Sequence, residues 1–323
     1  MTPDWRWNFE DDGRHGSEAQ RAGTRIPTPP PPNPPGPSRA VQIRRRRLAA
    51  GALLLALAAL AIALASGSPN AHRATVPASR RPAAVRPGAP VVPEPARGLA
   101  AVRSVLAYTP FVKAGGARGR DIALTFDDGP GPYTLELVKV LERYGVKATF
   151  FEIGEMLRYF RAATVRQIRD GDVIGDHTET HPPLATLSAH DQYEEIFEQL
   201  ARIELAGGSR PVLFRPPYGS FDATTMRQLA KLHLLMVLWS VDTGDYLEPG
   251  AGVIAERAIA AAKPGAIILM HDGGGNRSET IAALPRIITG LRAKGFKLVT
   301  VPELLAEDPP PAGLPLPPNL SGD

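Results

Sequence analysis

Residues 122–153 read IALTFDDGPGPYTLELVKVLERYGVKATFFEI. A short apolar run over 122–126 enters a turn built of Gly and Pro. An amphipathic segment over 134–144 follows, Gly145 stops it, and a second apolar run begins at Ala148. Strand, helix and strand in so few residues is the unit from which parallel sheets are built. The same alternation extends outward. Strands are predicted over 122–126, 148–153, 173–176, 212–215, 234–241, 266–270 and 297–301, and helices over 134–144, 156–170, 188–206, 222–231, 253–262 and 278–294. Ser188 and Asp222 are predicted N-caps, and Gly145 and Gly295 follow last turns. The predicted fold class is α/β, with a largely parallel sheet closed as a barrel or doubly wound.

The polar residues sort by this pattern. Asp127 and Asp128 follow the first strand, DHTETH the third, RPPYG the fourth, DTGD the fifth and HDGG the sixth. The C-terminal ends of strands are where α/β barrels and open α/β sheets place their active sites.

Composition sets the rest of the chain apart. Of 323 residues 34 are proline, crowded into PTPPPPNPPGP, PGAPVVPEPARG and DPPPAGLPLPP, segments that favour extended conformations and bury no core. Before residue 101 there are 14 Arg or Lys against 6 Asp or Glu, a net of +8, so the overall +4 leaves −4 for the remainder. The basic charge belongs to the arms, without interleaved aromatics, which argues against nucleic acid as a partner. The absence of cysteine excludes disulfides, thiol catalysis and cysteine-ligated metals. Neither GGARG nor DGGGN has phosphate-loop spacing with a lysine, so no nucleotide is expected.

Residues 48–65 form an uncharged run, LAAGALLLALAALAIALA, close to the length that spans a bilayer, preceded by Arg44, Arg45, Arg46 and Arg47. The positive-inside tendency places the N-terminus in the cytoplasm and the remainder outside. Cleavage after Ala63-Leu64-Ala65, a small-x-small site, is the alternative, and it gives a secreted protein. The expected organisation is a disordered cytoplasmic arm (1–47), a transmembrane helix or signal anchor (48–66), a Pro/Ala/Arg-rich linker (67–105), a catalytic domain (106–306) and a Pro-rich tail (307–323).

His177 and His181 stand four apart, which on a helical turn puts both imidazoles on one side. A carboxylate from a neighbouring strand end completes a His-His-Asp set suited to Zn²⁺, Fe²⁺ or Co²⁺. One of Asp127 and Asp128 is then a ligand and the other a base. His271 ends the apolar strand AIILM, where it suits proton donation to a leaving amine, and Asp242 is the carboxylate expected to orient it. His190 and His233 lie off the strand ends and are read as surface or packing residues; Trp239, in LHLLMVLW, is read as part of a buried strand.

TFDDGP, HTETH, RPPYG, DTGDY and ILMHDGG, in this order, resemble the five motifs of the polysaccharide deacetylases of the NodB-homology type, carbohydrate esterase family 4. The resemblance spans about 120–305. It implies a distorted (β/α) barrel with fewer strands than the eightfold barrel. It implies Asp127 as general base; Asp128, His177 and His181 as ligands of a divalent metal, Zn²⁺ first and Co²⁺ or another transition metal next; and Arg215 as the partner of the base. The backbone N–H of Tyr218 is the implied oxyanion donor, Asp242 the residue orienting the acid, and His271 the acid. The implied reaction is metal-dependent hydrolysis of acetamido groups on N-acetylhexosamine units of a polysaccharide. Peptidoglycan N-acetylglucosamine is the first expected substrate, with N-acetylmuramic acid, chitin oligomers and other poly-N-acetylglucosamine as alternatives. Two residues depart from the family pattern: Asp176 stands where asparagine is common, and Tyr246 where tryptophan is usual. The competing readings are a carbohydrate-binding wall protein without turnover, another amidohydrolase on the same scaffold, and a non-haem iron oxygenase built on the same two-histidine, one-carboxylate set.

Overall fold

The computed structural model describes residues 94–318. Nine strands occur among them: β1 (Phe111–Val112), β2 (Asp121–Gly129), β3 (Thr149–Glu152), β4 (Val173–Asp176), β5 (Leu213–Phe214), β6 (Leu235–Val237), β7 (Val241–Asp242), β8 (Ile267–His271) and β9 (Lys297–Val299). The helices are α1 (Glu94–Leu106), α2 (Thr134–Arg143), α3 (Leu157–Asp170), α4 (Ala189–Ala206), α5 (Ala223–Leu232), α6 (Ala251–Ala261), α7 (Ser278–Ala293) and α8 (Val301–Glu307).

The strands pair in the order β1-β6-β5-β4-β3-β2-β8-β7, all parallel, and β9 pairs with the start of β2. The sheet curls. Past β1, Ala114 forms an antiparallel bridge with Ala266 at the foot of β8, and the Gly115 N–H donates to the Gly265 carbonyl at 2.8 Å. The result is a curled α/β half-barrel.

Alternation along β2 decides what faces where. Ile122, Leu124 and Phe126 point outward into a core shared with Leu137 and Leu141 of α2, Ile254 of α6 and Leu284 of α7. Phe126 and Phe150 stack there at 5.2 Å between ring centroids. Burying a side chain of that size contributes roughly 1.5–3 kcal/mol. Ala123, Thr125 and Asp127 point the other way. Ala123 joins Phe151, Leu213, Val237 and Ile267 in an inner core, closed by Val102 and Val105 of α1 and Leu304 and Leu305 of α8.

Four expectations need correction. The predicted strand over 234–241 is two strands in different places: β6 pairs with β5 and β1, and β7 with β8. Among the described residues strand-forming segments number nine, not fewer than eight, because three two-residue segments, β1, β5 and β7, take ladder positions. The stretch expected to be linker ends in helix α1, whose Gly98 lies so close to Pro302 of α8 that a Cβ there would sit 2.8 Å from the proline Cβ. The predicted strand over 297–301 ends early, at Val299, and Val301–Glu307, at the end of the expected domain, forms α8, capped reciprocally by Thr300 and Glu303. Asp308 then fastens the chain by accepting from the Gly119 N–H at 2.9 Å and pairing with Arg118 at 2.9 Å.

The expected arm and membrane segment, over 1–66, lie outside the described residues. Among the described residues no helix is long and apolar enough to cross a membrane.

Candidate active site

The two adjacent aspartates are turned to one site by a break in β2. Asp127 keeps the inward phase of Thr125. Asp128 has φ 69 and sits at a register shift between Asp127 and Gly129, so the usual alternation fails and its carboxylate is redirected. A bulge at a strand end is a common way to re-aim a side chain.

Arg215, fully buried, reaches across the interior from the end of β5. Its Nη1 donates to Asp127 Oδ1 at 2.7 Å and to Thr125 Oγ1 at 2.9 Å, and its Nε donates to the Val237 carbonyl at 2.9 Å. The guanidinium lies over the Phe151 ring, 4.1 Å from its centroid. Burial depresses the arginine's proton affinity, and the Asp127 charge opposes that.

His177 and His181 follow β4, but not on a helix. The helical reading of their spacing is replaced by a loop in which Thr178 (φ 69) and His181 (φ 65) are left-handed. Asp176 Oδ1 accepts from the Thr178 N–H at 2.8 Å, and Thr178 Oγ1 accepts from the His181 N–H at 3.0 Å. Glu195 of α4 accepts from both the N–H and the hydroxyl of Thr180, each at 2.8 Å. Asp176 thus shapes this loop, and burial raises its carboxyl well above the usual range.

Asp128 Oδ1 lies 3.0 Å from His181 Nε2 and 3.4 Å from His177 Nε2. One donor atom from each of the three residues falls within 4.8 Å of the others. Burial works to raise the Asp128 carboxyl, but the two histidines hold it well below the usual range. His177 Nδ1 is 2.7 Å from the Arg215 carbonyl, so Nδ1–H donates there and Nε2 is left to ligate; His181 Nδ1 meets the Tyr218 hydroxyl at 3.2 Å. Two imidazoles with their outer nitrogens engaged and one ionised carboxylate fit a divalent transition metal with positions left open.

His271 ends β8. Its partner is Asp245, not Asp242. Asp245 Oδ1 is 2.8 Å from His271 Nδ1, and its Oδ2 accepts from the His271 backbone N–H and the Thr280 hydroxyl, both at 2.8 Å. Asp242 is exposed and accepts instead from the Gly244 N–H at 2.8 Å. The turn at Gly244 (φ 62) sends the chain inward, which buries Asp245 and leaves Asp242 on the rim. Burial works to lower the His271 pKa, but the Asp245 carboxylate outweighs it and the imidazole is raised to about 9.

Asp127, Asp128, His177, His181, Tyr218 and His271 line one cleft of about 970 Å³ with aromatic walls, including Tyr133, Phe160, Trp239 and Tyr246, while Arg215 and Asp245 bond to Asp127 and His271. Trp239 therefore stands on the cleft wall rather than inside a strand. Tyr246 sits with its ring 5.4 Å from that of His271. His190 and His233 are exposed and outside the cleft. The sequence reading missed Asp245, although it lies inside the quoted DTGDY motif, and Arg277, a buried cation on the cleft wall.

Comparison with known proteins gives a consistent set. A family model described as polysaccharide deacetylase matches residues 114–237. A peptidoglycan-N-acetylglucosamine deacetylase of Bacillus cereus is 34% identical over 186 residues, covering 57% of this chain and 68% of its own. A chitooligosaccharide deacetylase of Sinorhizobium fredii is 34% identical over 210 residues, covering 61% of this chain and 98% of its own. The crystal structure of the Bc1960 peptidoglycan N-acetylglucosamine deacetylase superposes with a TM-score of 0.60 at 33% identity, covering 62% of this chain and 94% of that one.

Proposed function

Because the chain belongs to the polysaccharide deacetylase family, we propose that it hydrolyses the acetamido group of N-acetylhexosamine units in a cell-wall polysaccharide, with peptidoglycan N-acetylglucosamine as its first substrate. N-Acetylmuramic acid and chitin oligomers are the alternatives. One observation carries the reading: a buried Asp127–Arg215 pair and a buried Asp245–His271 pair share the cleft with the Asp128, His177 and His181 set.

Asp128, His177 and His181 would hold a divalent metal, Zn²⁺ in the first instance. Such an ion supplies Lewis acidity, making water nucleophilic near neutral pH and polarising the amide carbonyl. The chain's own residues do the rest. Asp127, 3.9 Å from His177 Nε2, takes the proton from the attacking water. Arg215 holds that carboxylate in place through the 2.7 Å bond from its Nη1 to Asp127 Oδ1. The Tyr218 N–H donates to the oxygen on which negative charge develops. His271, protonated through its pairing with Asp245, delivers the proton to the departing amine nitrogen. Water and amide become acetate and a free amino sugar, and the proton taken at Asp127 balances the one given at His271.

We place this domain outside the cell on an anchor at 48–66, with the N-terminus cytoplasmic. The support is the apolar run and the four arginines before it. Secretion after cleavage at Ala65 is the alternative.

Acetate release from intact peptidoglycan and from N-acetylglucosamine oligomers tests the function. Release from peptidoglycan at the higher kcat/KM supports the proposal. Preference for oligomers moves the substrate to the alternative, and release from neither contradicts the reading.

A further inference from the structure

Arg277, between β8 and α7, is 3% exposed, and among the described residues its guanidinium pairs with no carboxylate. Its donors go to backbone carbonyls. Nε donates to Gly273 O at 2.7 Å, Nη2 to Gly274 O at 3.1 Å, and Nη1 to Asp245 O and Asn276 O, both at 3.4 Å. A single planar fork therefore joins the loop after β8 to the loop that carries Asp245.

Each of those loops supports one half of the site. The Gly273–Gly274 backbone presses on Asp128: a Cβ on Gly273 would lie 2.0 Å from the Asp128 carbonyl oxygen, and one on Gly274 would lie 2.4 Å from Asp128 Oδ2. The Asp272 N–H, one residue earlier, donates to the Asp127 carbonyl at 3.0 Å. Asp245 holds both the ring and the backbone of His271.

We infer that Arg277 is a positioning residue that locks the proton-donor pair Asp245–His271 and the glycine loop backing Asp128 into one unit, fixing the spacing between proton donor and metal-side carboxylate. Burying a guanidinium on carbonyl groups alone is costly, and its planar array of donors reaches four acceptors at once, as an ammonium does not. The kinetic part of the inference rests on the deacetylase reading; the metal-affinity part does not.

The test compares the full chain carrying Arg277→Gln with wild type in kcat, in KM for an N-acetylglucosamine oligomer and in Zn²⁺ affinity, the last by competition with a chromogenic chelator. Loosening both supports is expected to lower kcat about tenfold or more while KM stays within about twofold. Zn²⁺ binding is expected to weaken about tenfold, as when an outer-shell partner is lost. Either kcat or Zn²⁺ affinity within about twofold of wild type, in a variant that folds, overturns the inference. Arg277→Lys keeps the charge and is the milder variant if Arg277→Gln does not fold; it is expected to show the same two losses, and full restoration by lysine overturns the proposal. In Arg277→Gln/Asp245→Asn the kcat losses are expected not to multiply, because both act through His271; fully multiplicative losses overturn it. A wild-type chain that releases no acetate defeats the deacetylase reading alone, and the Zn²⁺ comparison still decides the role of Arg277.

Discussion

Asp245 grips His271 with both carboxylate oxygens, Oδ1 at 2.8 Å from Nδ1 and Oδ2 at 2.8 Å from the backbone nitrogen. The first bond fixes the tautomer and leaves Nε2 toward the cleft. The second ties the carboxylate to the end of β8, so ring and partner move together. A proton donor held in this way keeps its proton to high pH.

The pH dependence of activity follows from that pairing. His271 acts in its protonated form, so activity is present below its pKa and lost as pH rises through about 9. Without the Asp245 carboxylate, burial is opposed only by the smaller raising effects of Asp128 and Asp127, and the pKa falls. Asp245→Asn is therefore expected to move the alkaline limb of kcat/KM down by about one pH unit or more, while Asp242→Asn leaves it in place. The pH–rate profiles of the two variants check this, and a shift confined to Asp242→Asn would restore the assignment made from sequence.

Arg215 is tested by stability as well as by rate. Arg215→Met leaves the Asp127 carboxylate buried without its cation, and breaking a buried pair from one side costs about 3–5 kcal/mol. Denaturant unfolding of the metal-free chain should show a loss of that order. Acetate release should fall with it, because the base is no longer aimed. An unchanged unfolding midpoint would mean that Asp127 finds another partner.

Helix α1 belongs to the folded unit although its composition reads as linker. Val105 is buried against the α8 cluster. Val105→Asp in the full chain is expected to destabilise by about 3 kcal/mol or more, seen as a lowered Tm, because a charge is placed there without a partner. A wild-type Tm would return the segment to the linker.

What the sequence disclosed and what it hid have physical reasons. The strand-helix alternation and the clustering of polar residues at strand ends were legible, because period-2 and period-3.6 patterns survive in a single chain. Asp127, Asp128, His177, His181 and His271 all line the cleft, and the buried Arg215 bonds to Asp127. Local geometry was not legible. The four-residue spacing of the histidines suggested a helical turn, whereas two left-handed residues bring them together. In DTGDY both aspartates have the right chemistry, and only the turn at Gly244 decides which one is buried. From Leu234 to Trp239 the run LLMVLW is uniformly apolar, so nothing in it marks the point where the chain leaves β6 for β7 and turns Trp239 to the cleft. In α1, Pro95 occupies the first turn, where proline is tolerated, and the proline-rich flank masks the helix behind it.

The most direct test is acetate release from peptidoglycan by the full chain, measured after chelation, after Zn²⁺ is restored, and again with Asp127→Asn loaded with Zn²⁺. The expected result is release that disappears on chelation, returns with Zn²⁺ and stays absent in Asp127→Asn while that variant still binds the ion. Release that is indifferent to chelation, or near-wild-type release by Asp127→Asn, would contradict the proposal of a metal-dependent hydrolase with Asp127 as its base.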